Sequence, residues 1–588
     1  MSRARSGVIH REQEKREERA LDLESLITVA RGERPADLVL RNAQLVNVLS
    51  GEVHAADIGI AGGRVLGFGA YEAREEVDLQ GRFVCPGFLD AHVHLESSMV
   101  QPAGFARAVV PRGTTGVVCD PHEIANVLGL DGVRYILEAS DGLPLRVYVM
   151  APSCVPATHM ETAGAALDAA DLRVLWGYER VIGLAEMMNY PGVLYRVPAV
   201  LDKLRAAGDR PIDGHAPGLA GLDLNAYVVA GVGSDHETTD PDEARAKLRR
   251  GMHLMIREGT TARNLHALLP VVTPANARFC SFCTDDRHPD TLLTEGHIDD
   301  VVRKAIAWGL DPILAFQMAT INTARYFRLR DLGAVAPGYR ADLVVLNDLH
   351  TVDVAQVYVD GALVAAGGRF LTHTGAGQHV PVGSAMHVDP AAIDFTIPAG
   401  DGLARVIGVI RDQIVTEDLR LKPTTRDGYV VSDPARDLAI IAVVERHRGT
   451  GNVGLGLVHG MGLRHGAMAS SVAHDAHNIV IVGAGDDDMR SALDAVATMG
   501  GGQVVVRDGR VVASCPLPIA GLMSARPLEE VRAQVEALTS AAHSLGCTLP
   551  DPFMTMSFLA LPVIPALKLT DMGLVDVGRF EIVPLFAG

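Results

Sequence analysis

No run in these 588 residues is apolar and charge-free for long enough to span a bilayer, which argues against a membrane protein. No basic block is present either; the formal charge is −18 with acidic residues spread along the chain, a poor match to a phosphate backbone, and nucleic acid is not an expected partner. The start, "MSRARSGVIHREQEKREERALDLESL", lacks the apolar segment and small-residue cleavage site of a secretory signal, so a cytoplasmic protein is expected. Seven cysteines, an odd number scattered over a long chain, make no disulfide framework. Only Cys280 and Cys283 have CxxC spacing, and without a second such pair the run "ARFCSFCTDD" reads as a packed strand rather than a zinc site.

What is present is ample apolar material, 48% of residues, in a chain too long for one core. Residues 36–85 and 331–384 alternate short Val/Ile/Leu runs with Gly, Asn and Asp turn signals, and are expected to form one composite β-sandwich domain built from both flanks of the middle. The middle, 86–330, holds eight strand-like runs, each followed by a stretch of helical length: "GFLDAHVH", "TGVVCDPHE", "RVYVMAPSC", "VIGLAEMM", "PIDGHAP", "GVGSDHE", "HLMIREG" and "RFCSFCTDD". After the sixth, Thr239 or Asp240 reads as an N-cap with Pro241 in the first turn. Eight βα units point to an α/β fold of the TIM-type (β/α)8 barrel. Residues 1–35 are an N-terminal extension, and 385–588 a C-terminal mixed α/β domain. Its "GLGLVHGMGLRHG" has GxGxxxG spacing and no acidic partner, so no dinucleotide site is expected there.

Barrel enzymes carry their chemistry at the C-terminal ends of the strands. There the runs end in His92 and His94, Glu186, His215, His236 and Asp285. His92 and His94 are two apart on a strand and share a face. A histidine or aspartate at one strand end is commonly a hydrogen-bonded turn residue; six at matching ends read as metal ligands. Imidazole and carboxylate without thiolate suit Zn²⁺, Mn²⁺ or Fe²⁺, and six protein ligands are too many for one catalytic ion with an open position, so two ions are expected.

The strand-one HxH, two later histidines and strand-eight Asp resemble the amidohydrolase superfamily. Many of its members bridge two metals with a carboxylated lysine, but here no lysine lies between Lys15 and Lys203, and Glu186 is the expected bridge. The resemblance narrows to adenine deaminases of the bacterial type, on "PGFLDAHVHLESSM" (86–99), "DPHEIANV" (120–127), "GLAEMMNYPGV" (183–193), "DGHAPGL" (213–219), "GSDHE" (233–237) and "FCTDDRHPDTL" (282–292). It implies hydrolysis of adenine at C6 to hypoxanthine and ammonia, with water activated as hydroxide between two ions. Mn²⁺ or Fe²⁺ is implied, where ligand chemistry alone admits Zn²⁺. His92, His94 and Asp285 would hold one ion, His215 and His236 the other, with Asp285 carrying protons and Asp120 assisting protonation of the ring. A homo-oligomer, dimer or larger, is expected.

His122 and Glu123 are assigned either to the mouth or to support of the next helix, and His474 and His477 either to the site or to caps. Glu237 and Asp286 are expected to point away from it as strand neighbours of ligands. A cyclic-amide hydrolase of hydantoinase or dihydroorotase type is the alternative enzyme, disfavoured by the absent strand-four lysine. A barrel kept only as a scaffold should have lost ligands. The H-x-E and P-C-x-x-C deaminase signature does not fit "HLE" and "CSFC", because Phe279 precedes Cys280.

Overall fold

A computed structural model describes residues 22–371, 380–383, 385–411 and 413–587. The eight runs of the middle form the strands Phe88–Val93, Thr114–Cys119, Arg146–Ala151, Val181–Met187, Ile212–Gly214, Ser234–Asp235, His253–Arg257 and Cys280–Cys283. The first five pair in parallel as one sheet and the last three as another. Two seams close the ring. Gly233 N donates to Ile212 O at 2.9 Å, and on the far side Asp285 N donates to His92 O at 2.9 Å while His94 N donates to Asp285 O at 3.1 Å. Strands one and two are buried at every position, as the near-continuous apolar runs of a parallel sheet covered on both faces require.

The loops at the mouth are fixed by the helices that follow them. Asp240 caps the helix Pro241–Leu248, its side chain accepting from Asp242 N and Glu243 N. That helix carries Lys247, which is buried, donates to Ala216 O at 2.8 Å and pairs with Asp235 at 2.9 Å. Asp235 in turn accepts from Ala216 N at 2.8 Å, so one buried ion pair ties the His215 loop to the His236 loop.

Strands from both flanks form one nine-stranded sheet, joined where Phe83–Pro86 runs antiparallel to Leu343–Leu346. Leu40, Leu45, Ile58, Val84, Leu343 and Val345 pack on one of its faces. The C-terminal region has its own nine-stranded sheet with Leu438–Val444 and Ile479–Gly483 central and buried. The helix Asp486–Thr498 covers it through Met489, Ala492, Leu493 and Val496. Gly454 of the glycine-rich stretch has a packing role: a Cβ there would stand 1.8 Å from Thr570 O, so only glycine lets the strand Leu567–Thr570 approach. All seven cysteines are buried and unpaired, Cys280 and Cys283 within strand eight.

Candidate metal centre

The six strand-end residues converge in one cluster, buried at every member but His215, which is partly exposed. His92 Nε2 and His94 Nε2 are 3.2 Å apart, and both face Asp285 Oδ1, at 3.3 and 3.1 Å. Glu186 lies between two pairs of histidines. Its Oε1 is 3.6 Å from His92 Nε2 and 3.4 Å from His94 Nε2, while its Oε2 is 2.6 Å from His215 Nδ1 and 3.4 Å from His236 Nε2. One carboxylate oxygen thus serves each half. The nearest lysines in sequence are committed elsewhere, Lys203 to Ser153 O at 2.7 Å and Lys247 to the loops described above.

The donor set fits cations. His94 Nδ1 is 2.9 Å from the carbonyl of Asp120 and donates to it, which leaves Nε2 with a lone pair aimed at two carboxylate oxygens. Lone pairs facing lone pairs in a water-poor interior repel unless a positive charge stands between them. Burial works against a charged imidazole, yet Asp285 and Glu186 lift His92 to about 10. Glu237 and Glu186 likewise lift His215 to about 9 against burial. The cluster therefore attracts positive charge from either side of Glu186.

Asp120 meets the six only through its carbonyl, which accepts from His94 Nδ1, while its carboxylate turns to His122. It stands one residue back, Oδ2 3.1 Å from His122 Nδ1 and Oδ1 accepting from His122 N at 3.1 Å, while His122 Nδ1 is 3.6 Å from Glu186 Oε1. Glu237 does not point away as a strand neighbour would: the strand ends at Asp235, the chain turns, and the carboxylate lies 3.7 Å from both His215 Nδ1 and His236 Nε2. Asp286 accepts from Ser97 Oγ at the rim.

Residues 83–364 match the amidohydrolase family and residues 413–581 the adenine deaminase C-terminal domain. Adenine deaminases of Desulfatibacillum aliphaticivorans and of Methanothrix thermoacetophila are 53% and 52% identical to this chain, each alignment covering 96% of it and 99% of the relative. The chain belongs to the adenine deaminase family. In this adenine deaminase family member, two parts of the centre escape the strand-end reading. Arg257 ends strand seven, buried, and its guanidinium joins Asp285 Oδ2 to Glu237, with Nη2 to Glu237 Oε2 at 2.9 Å. The same rule finds it, since "HLMIREG" ends in a buried charge, provided cations are read alongside ligands. The second part, His474 and His477, comes from the C-terminal domain and meets Glu123. No pattern within either stretch marks that meeting.

Proposed function

We propose that this site hydrolyses adenine at C6, consuming water and releasing hypoxanthine and ammonia, with two divalent ions held by His92, His94 and Asp285 on one side, His215 and His236 on the other, and Glu186 between them. The observation that supports it most is the position of Glu186, one oxygen toward each pair of histidines. Divalent ions held there would supply the Lewis acidity that brings the pKa of water down toward neutrality, and Mn²⁺ or Fe²⁺ is the assignment we favour over Zn²⁺.

The chain's own groups do the rest. Asp285 takes the proton of the attacking water and passes it to the departing amine. Burial disfavours its charge, but Arg257 holds the carboxyl well below the usual carboxylate range. A proton placed on so weak a base is readily handed on. Asp120, against His122, is assigned to the side where a ring nitrogen gains its proton. Among the described residues no helix is long and apolar enough to cross a membrane, and a cytoplasmic enzyme is the proposed setting.

The test is ammonia release from adenine by Mn²⁺-reconstituted protein, with Glu186→Gln and Asp285→Asn alongside. Both variants are expected to lose 10²-fold or more, of the order seen when a single stabilising group is removed. Full activity in both rejects the mechanism; turnover of adenosine without adenine rejects the substrate.

A further inference from the structure

Glu123 meets His474, 351 positions further along the chain. It is carried in the first turn of the helix His122–Leu128, directly after barrel strand two, and His474 and His477 reach it from the loop before the C-terminal strand Ile479–Gly483. His474 Nδ1 is 2.8 Å from Oε1, and His477 Nε2 bonds Oε2. All three side chains are more than nine-tenths buried.

The hydrogen-bond directions decide what the trio is. Ala473 N donates to His477 Nδ1 at 3.1 Å, so Nδ1 is an acceptor and the ring proton sits on Nε2, aimed at Glu123. A cation in that place would require removing the proton from a ring whose other nitrogen already accepts. The trio is a carboxylate gripped by two N–H donors rather than a third metal site.

The gripping loop is itself anchored. The buried Arg446 donates to the carbonyls of His477, Ala385 (2.7 Å) and Ala520 (2.9 Å). Asn478 Nδ2 donates to Thr162 O at 2.8 Å, in the loop after barrel strand three, and Thr162 N donates to Asp571 at 2.9 Å. Phe558 stacks on His474 at 5.0 Å. On its other side Glu123 Oε1 is 3.3 Å from His122 Nε2, and that ring is 3.6 Å from Glu186. Three contacts in series therefore lead from the C-terminal domain to the centre, through Glu123 and His122 to Glu186.

We propose that His474 and His477 are positioning residues of the active site: they fix Glu123, and through it the His122 ring, so that the C-terminal domain completes the mouth of the barrel. This rests on the deaminase reading above. A contact that merely docks two domains would not depend on a donor proton, whereas one that orients Glu123 does.

His474→Asn and His477→Gln each keep an N–H donor near the place of Nδ1 and Nε2; His474→Leu and His477→Leu remove it. The measurements are kcat and KM for adenine, metal per chain and thermal midpoint in each variant. The leucine variants are expected to lose about 10- to 100-fold in kcat with metal content at the wild-type value, and the amide variants to recover most of that loss. Equal kcat in donor-keeping and donor-deleting variants overturns the proposal even if the midpoint falls, and so does loss of a third equivalent of metal. If the wild type does not deaminate adenine, or the leucine variants do not fold, the ring N–H signals of ¹⁵N-histidine-labelled protein carry the test. Both signals should shift on Glu123→Gln, and unshifted signals reject the grip.

Discussion

Arg257 shows how a single side chain sets the charge of the centre. It faces a buried carboxylate, Asp285, and a partly buried one, Glu237, each beside histidines that would hold an ion. A buried guanidinium between them offsets part of the desolvation of both, and its planar fork fixes how each is turned. Arg257→Lys keeps the charge and loses the fork. It is expected to bind two metal equivalents yet lose about 10- to 100-fold in kcat, because Asp285 Oδ1 is no longer held toward His92 and His94. Arg257→Met leaves the buried Asp285 carboxylate without its cation and should destabilise the metal-free protein by roughly 3–5 kcal/mol, read from denaturant unfolding. Wild-type kcat in the lysine variant would show that the fork does not orient Asp285.

Among the elements, the strand ends were legible and the loops between them only partly. A strand puts residues two apart on one face, so His92 and His94 could be read together, and Glu186 is inside its strand. Beyond a strand end that periodicity stops, which is why Glu237 was expected to face away and instead approaches His215. Strands seven and eight also carry a polar lock beneath the centre. His253 is buried, bonds Ser281 Oγ at 2.7 Å and stacks on Tyr326 at 4.6 Å. Burial drives its pKa down to about 3, so it is neutral in the folded chain and takes a proton on unfolding below about pH 6.5. The unfolded state then binds more protons, and stability falls as pH drops from about 6.5 toward 3, by up to about 1.4 kcal/mol per pH unit from this group. His253→Gln, which keeps a partner for Ser281, is expected to flatten that slope in unfolding measured across the window. An unchanged slope would assign the acid sensitivity to other groups.

At the scale of the whole molecule, local patterning in the sequence carries no information on how the barrel and the C-terminal region meet. Local patterning defines βα units and a second sheet; nothing within residues 467–483 encodes that His474 and His477 lodge against Glu123 of the barrel. The two flanks share one texture in the sequence, which reads as a composite β-sandwich; in the structure they join in one nine-stranded sheet through Phe83–Pro86 and Leu343–Leu346. Metal should stabilise this assembly as a unit. Side chains from the ends of five barrel strands, with the loops tied by Lys247, meet in one cluster that would hold the ions, and a site formed only in the folded chain adds its binding free energy to folding. Free metal at a hundred times its dissociation constant adds about 2.7 kcal/mol per site. Chelated protein is therefore expected to melt several degrees below the Mn²⁺-reconstituted form. Glu186→Gln, which weakens both halves at once, should remove most of that difference, whereas His215→Ala, confined to one half, should leave part of it. The two halves would then be separable in calorimetry at graded Mn²⁺. Identical melting of chelated and reconstituted wild type would show that the six residues hold their positions without a bound ion, and would reject the two-ion assignment.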